Sequence, residues 1–155
     1  MALRHWLVKS EPDAYSIDDL ARDKRTAWSG VRNFKARNFL RDEMKKGDLV
    51  LFYHSSADPP GLAGIARVAA EGYPDVTAFD RKSDYYDPKS DRAKPSWFVV
   101  DLEFVEKLPR LVPLAELKAA KELAGMLVVQ KVMRLSVQPV EKQHYDFVVR
   151  MARKL

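Results

Sequence analysis

The sequence predicts an α+β fold, a single domain over residues 1–155 with a curled, mostly antiparallel sheet flanked by helices. Three observations lead there. The length matches one domain. Short apolar runs of strand length mix with helical patterns, without the regular βαβ alternation of a doubly wound sheet. Hydrophobic residues make up 46% of the chain, enough for a core without disulfide or metal staples.

The elements follow in order. Residues 3–9 read as an opening strand, ended by Ser10-Glu11-Pro12. Ser16-Ile-Asp-Asp19 has the form of a capping box, so a short helix runs to about Asp23. Trp28-Ser-Gly-Val-Arg-Asn33 reads as a loop, with Gly30 permitting an unusual backbone angle. Asn33 caps a helix to about Lys45, with Phe34, Ala36, Leu40 and Met44 expected on one buried stripe. Lys45-Lys-Gly-Asp48 stops it.

Residues 48–55 form a strand apolar on both faces and therefore central. A turn at Asp58-Pro-Pro-Gly61 leads to a second strand, Leu62 to Val68. Residues 72–95 are a long polar stretch, of a length that in a compact domain is usually either functional or disordered. A strand from Trp97 to Glu106 follows, then a helix from Leu114 to Leu123. A short strand, residues 134–138, is stopped by Pro139. A terminal helix spans Glu141 to Lys154, with Phe147, Val148 and Met151 on its buried side.

Several chemistries are excluded. The chain has no cysteine, hence no disulfide, thiolate zinc site, iron–sulfur cluster or Cys nucleophile. His5, His54 and His144 lie in three elements without metal-ligand spacing, so no metal is expected. There is no dinucleotide or P-loop fingerprint and no nucleophile elbow. In Tyr53-His54-Ser55, strand alternation points His54 and Ser55 to opposite faces, so they cannot form a dyad. No apolar run approaches the roughly 18 residues of a membrane span. No membrane partner and no cofactor are expected, and a cytoplasmic or nucleoid-associated protein is the default.

The formal net charge is +5. Residues 22–46 hold nine bases against three acids, a net +6, so this one segment exceeds the charge of the whole chain. Such a concentration marks either a solvated helix face or the footprint of a polyanion binder.

Polar residues that interrupt the apolar strands sharpen the choice. Lys9-Ser10-Glu11, Tyr53-His54-Ser55 and Arg134-Leu-Ser136 sit in or at the ends of strands, and the Trp28 loop lies beside the basic helix. If they converge, they make a pocket with an aromatic face for stacking and neutral groups for a base edge. Each residue also has a plainer role. Trp28 can be core, His54 a satisfied structural histidine, Asn33 only a cap, and Ser136 a backbone partner. Arg32 can pair with Glu11 or Asp13 or contact phosphate, and Tyr85 and Tyr86 can pack their loop.

These stretches resemble the EVE-domain family. The match runs through Trp6-Leu-Val-Lys-Ser-Glu-Pro12, Tyr15-Ser-Ile-Asp-Asp-Leu20, Trp28-Ser-Gly-Val-Arg-Asn33, Ala36-Arg-Asn-Phe-Leu-Arg41, Phe52-Tyr-His-Ser55, Tyr73-Pro-Asp75 and Arg134-Leu-Ser-Val-Gln-Pro139, over nearly the whole chain. The resemblance implies a PUA-like fold, curled or barrel-like and related to the YTH modified-RNA readers. It implies binding of DNA or RNA carrying modified bases, above all a modified cytosine such as 5-methylcytosine in DNA. It implies no catalysis.

Carried onto this sequence, the base pocket comprises Lys9, Ser10, Trp28, Gly30, Val31, Arg32, Asn33, Tyr53, His54, Ser55, Arg134 and Ser136, and Lys35, Arg37, Arg41 and Lys45 meet phosphate. Where the family pattern has Tyr-Gln after the Arg-Asn pair, this chain has Phe34-Lys35, which removes a hydroxyl and adds a charge. Two other readings remain open on the residues alone: an enzyme with His54 as acid–base group beside Lys9 or Glu11, and a protein-interaction module.

Overall fold

The computed structural model describes residues 3–130 and 135–154. Six strands form one mixed sheet: β1 (His5–Ser10), β2 (Arg25–Ala27), β3 (Leu49–His54), β4 (Gly61–Pro74), β5 (Phe98–Pro113) and β6 (Val137–Val140), in the order β2-β5-β4-β3-β1-β6. β2 and β6 form its two ends, so the sheet is open and not a closed barrel. All neighbours are antiparallel except β1 and β3, which run parallel with Trp6 opposite Val50 and Ser10 opposite His54. Register shifts interrupt β3–β4 once and β4–β5 repeatedly, and such bulges bend and twist a sheet.

A parallel pair needs a long crossover. Here residues 11–48 supply it, carrying α1 (Ile17–Asp23), β2 and α2 (Phe34–Asn38). α1 starts as the sequence predicts, with Ser16 and Asp19 each bonding the other's backbone N–H. It ends where Lys24 turns to φ 67° and donates its N–H to Leu20. α2 is shorter than expected. Asn33 caps it by accepting the Ala36 N–H, but after Asn38 the chain passes into a π-helical turn, Phe39–Glu43. Leu40, Met44 and Ala36 are buried as predicted, while Phe34 is exposed.

The strands bury side chains on both faces. Trp6, Val8, Val50 and Phe52 pack under α1, Trp28 and Leu40. Leu7, Leu51, Tyr53 and Ile65 pack on the other face with Leu117 of α3 (Leu114–Ala119) and Tyr145 and Val148 of α4 (Lys142–Arg153). This alternation follows from the period of two along a strand. β4 and β5 extend beyond the predicted bounds because they go on pairing with each other, β4 out to Pro74 opposite Phe98 and β5 out to Pro113 opposite Gly61. The polar stretch is thereby reduced to a 3₁₀ turn, Val76–Phe79, and the loop after it. In α4 the buried residues are His144, Tyr145, Val148 and Ala152, while Phe147 and Met151 are half-buried. Pro139 lies within β6 opposite Trp6, at the sheet edge where a proline is tolerated.

Candidate nucleic-acid interface

The crossover opens a cavity of about 430 Å³ at the ends of β1 and β2, within the roughly 300–1,000 Å³ typical of small-molecule sites. Of the pocket residues proposed from sequence, Lys9, Ser10, Trp28, Gly30, Val31, Arg32 and Ser136 line it. Glu11, Tyr15, Thr26, Ser29 and Tyr85 complete the wall with Ala14 and Ala27.

Trp28 is 8% exposed and braced edge-on by Phe52 (5.4 Å, 79°) and Tyr15 (6.3 Å, 77°). The roles of wall and core therefore coincide in one side chain. Ser10 Oγ donates to the Tyr15 carbonyl at 2.6 Å, which fixes the turn carrying Tyr15. The Ser136 carbonyl accepts the Lys9 N–H. Burial holds the Lys9 ammonium below the ordinary lysine range, and burial raises the Tyr15 phenol, with the bond to Asp23 adding to it.

The far rim is organised by Asp75, which is 1% exposed. Its carboxylate accepts the Gly30 N–H (2.9 Å), Arg32 Nη1 (3.0 Å), and the Thr77 N–H and hydroxyl (3.0 and 2.6 Å). Burial alone would push this acid up. The bonds from Thr77, Gly30 and Arg32 outweigh it and hold the carboxyl below its usual range. Arg32 therefore pairs with Asp75, not with Glu11 or Asp13, and also donates to the Tyr85 carbonyl from Nη2 (2.6 Å) and Nε (3.2 Å). Gly30 adopts φ 84°, and a Cβ there would meet the Tyr85 ring at 2.6 Å. Only glycine lets that ring close over the loop.

Four proposed pocket residues lie outside the cavity. Tyr53 faces the opposite core, as strand alternation requires. His54 Nε2 accepts the Ile17 N–H at 3.1 Å, so the imidazole secures the start of α1, and burial lowers its pKa. The Ser55 N–H donates to Ser10 O, and the Asn33 side chain is the cap of α2. Arg134 lies outside the described residues.

The proposed phosphate ligands lie along α2 and the turns after it. Lys35 is exposed. Arg41 is paired to Asp42 by two 2.8 Å bonds, and Lys45 faces Glu71 at 3.8 Å. Such surface pairs are worth about 0–1 kcal/mol, so a phosphate can replace them. Arg37 differs, being bonded to Ser96 O and Asn38 Oδ1 and partly buried. Among the described residues, no three His, Asp or Glu side chains converge to hold a metal ion.

The open six-stranded α+β sheet, with a crossover that forms an aromatic, arginine-clamped cavity, agrees with the PUA-like fold that the family resemblance implies. The EVE domain family model matches residues 4–151, and the chain belongs to that family. It is 44% identical to human thymocyte nuclear protein 1, over 97% of this chain and 74% of that protein. A crystal structure of a Pseudomonas putida protein superimposes with TM-score 0.92 at 47% identity, covering 96% of this chain and 99% of the other. The human THYN1 protein, solved in complex with 5-methylcytosine containing DNA, superimposes with TM-score 0.92 at 40% identity, covering 98% and 99%.

Proposed function

We propose that this domain is a non-catalytic reader of DNA that holds a modified cytosine in the Trp28 cavity. One observation carries the reading: a cavity of about 430 Å³ with an aromatic wall and a polar lining of hydroxyl, backbone and charged groups lies within and beside the most basic segment of the chain. The human relative crystallised with methylcytosine-containing DNA supports it. Extrusion of a base costs a few kcal/mol. Stacking returns about 1–3 kcal/mol per base, and hydrogen bonds and phosphate contacts from Lys35, Arg41 and Lys45 supply the rest. In the enzyme reading His54 acts beside Lys9 or Glu11; Lys9 and Glu11 line the cavity, but His54 lies outside it and already holds the Ile17 N–H, which favours binding over turnover.

The test is a titration of duplexes carrying cytosine, 5-methylcytosine or 5-hydroxymethylcytosine, and of a matching RNA, at two salt concentrations. The reading requires tighter binding of a modified duplex than of the plain one, weakening steeply with salt. Equal binding of all four ligands would sink it. Preference for the RNA would replace DNA as the partner.

A further inference from the structure

Phe34 is the most exposed aromatic side chain among the described residues, 59% accessible at the first position of α2. It is nevertheless held in place. Its ring stacks on Trp97 with centroids 4.8 Å apart and planes 18° from parallel. The Arg37 guanidinium lies 4.9 Å from the Phe34 centroid, itself fixed by Ser96 O and Asn38 Oδ1. Trp97 is nearly buried, and its indole N–H donates to Asp87 at 2.7 Å. The Arg32 guanidinium lies 5.3 Å from the Trp97 ring and 5.7 Å from the Tyr85 ring. A series of rings and guanidinium groups thus leads from the cavity wall, Tyr85 and Arg32, out to Phe34.

Leaving a large ring in water forfeits burial that it could have had. Fixing it there makes sense for a partner that stacks, because a pre-ordered ring loses little freedom on binding. Aromatic rings and arginine planes together are the surface on which nucleobases stack. The surrounding charge selects the same partner, since Phe34 stands in the segment of net +6 and next to Lys35.

We propose that Phe34, with Arg37, is a second nucleobase subsite: it stacks on the base adjacent to the one held in the Trp28 cavity. This rests on the cavity taking a base. The residue acts on its ligand directly, so removing that ligand must silence it.

The experiment is a double-mutant cycle between protein and DNA. Wild type, Phe34→Ala, Phe34→Leu and Phe34→Tyr are titrated with a 5-methylcytosine duplex. The titrations are repeated with duplexes in which the nucleotide on one or the other side of the methylcytosine is abasic. The expected loss for Phe34→Ala and Phe34→Leu on the intact duplex is about tenfold. That loss vanishes on one of the two abasic duplexes, and Phe34→Tyr retains wild-type affinity. Phe34→Leu keeps an apolar side chain of similar size, so it isolates stacking should the alanine variant fail to fold. If both variants bind the intact duplex as wild type does, or lose the same factor on all three duplexes, the subsite is overturned and the cavity reading stands. If wild type does not distinguish the methylated from the plain duplex, both fall together.

Discussion

Arg32 and Asp75, 43 positions apart, meet at 3.0 Å with the carboxylate 1% exposed and the guanidinium side chain 23% exposed. This pair joins the Trp28 loop to the start of the 3₁₀ turn after β4. Through Arg32 it also reaches the Tyr85 carbonyl, and so holds both rims of the cavity.

Removing one partner of such a pair costs about 3 kcal/mol or more. Asp75→Ala should lower the melting temperature by roughly 10 °C in a chain of this size. The pH dependence has a fixed sign. The folded carboxyl titrates below its ordinary value, so its contribution is complete above the unfolded pKa of about 3.9 and is lost as pH falls through the lower, folded one. Thermal melts from neutral pH to below pH ~3 check this, and Asp75→Asn should remove that part of the acid sensitivity. An Asp75→Ala protein that melts like wild type would refute the clamp.

Gly30→Ala meets two obstacles, a φ of 84° and the Tyr85 ring. The backbone alone should cost about 1–2 kcal/mol, and displacement of the ring adds to it. Adding Tyr85→Ala should recover the second part and leave the first. Chemical denaturation of the two single variants and the double variant measures the coupling. Strict additivity would mean that the ring does not constrain this position.

His54→Ala separates a structural histidine from a site histidine. It leaves the Ile17 N–H without its acceptor, at a cost of about 1–3 kcal/mol of stability, with affinity for methylated DNA unchanged. Burial lowers the folded pKa of His54, so the wild type is destabilised as pH falls below the unfolded value of about 6.5. The variant should lose that slope. A selective loss of DNA affinity with stability intact would restore His54 to the site.

Charge removal tests the basic segment. Arg41→Gln and Lys45→Gln should each reduce the slope of log affinity against log salt by about one. They should weaken methylated and plain duplexes alike, because phosphate contacts position and do not discriminate. Trp28→Phe, in contrast, should diminish the preference for the methylated duplex while leaving the salt slope in place. Fluorescence anisotropy titrations at several salt concentrations read both quantities.

What could be read from the sequence was local. Ser16 and Asp19 announced α1, and Asn33 announced the start of α2, because a cap needs only its own next few residues. The Trp28 loop, Lys9, Ser10 and Ser136 were legible as polar interruptions of apolar elements. The misplacements were non-local. β2 is three residues with no apolar signal, and only its partner β5 makes it a strand. Phe34 fitted the same helical stripe as Ala36, Leu40 and Met44, but at the first position of α2 it alone of the four is exposed. Asp75 and Tyr85 join Gly30 from 45 and 55 positions away, so no spacing rule could find them. Tyr53 and His54 were grouped with the site by their position at a strand end, although alternation already sent Tyr53 to the opposite face.

The parallel pairing of β1 with β3 gives the cavity an unusual kind of security. Trp28, Gly30, Arg32 and Phe34 all belong to the connection between two strands that lie side by side within the sheet, so this connection is anchored at both ends by interior strands. Midway along it, β2 ties it to β5 at the edge of the same sheet. Its conformations are restricted to those that span two fixed posts, and it can exchange side chains at its tip without disturbing the posts. A frame of that kind holds a recognition loop in shape while leaving its chemistry open to change.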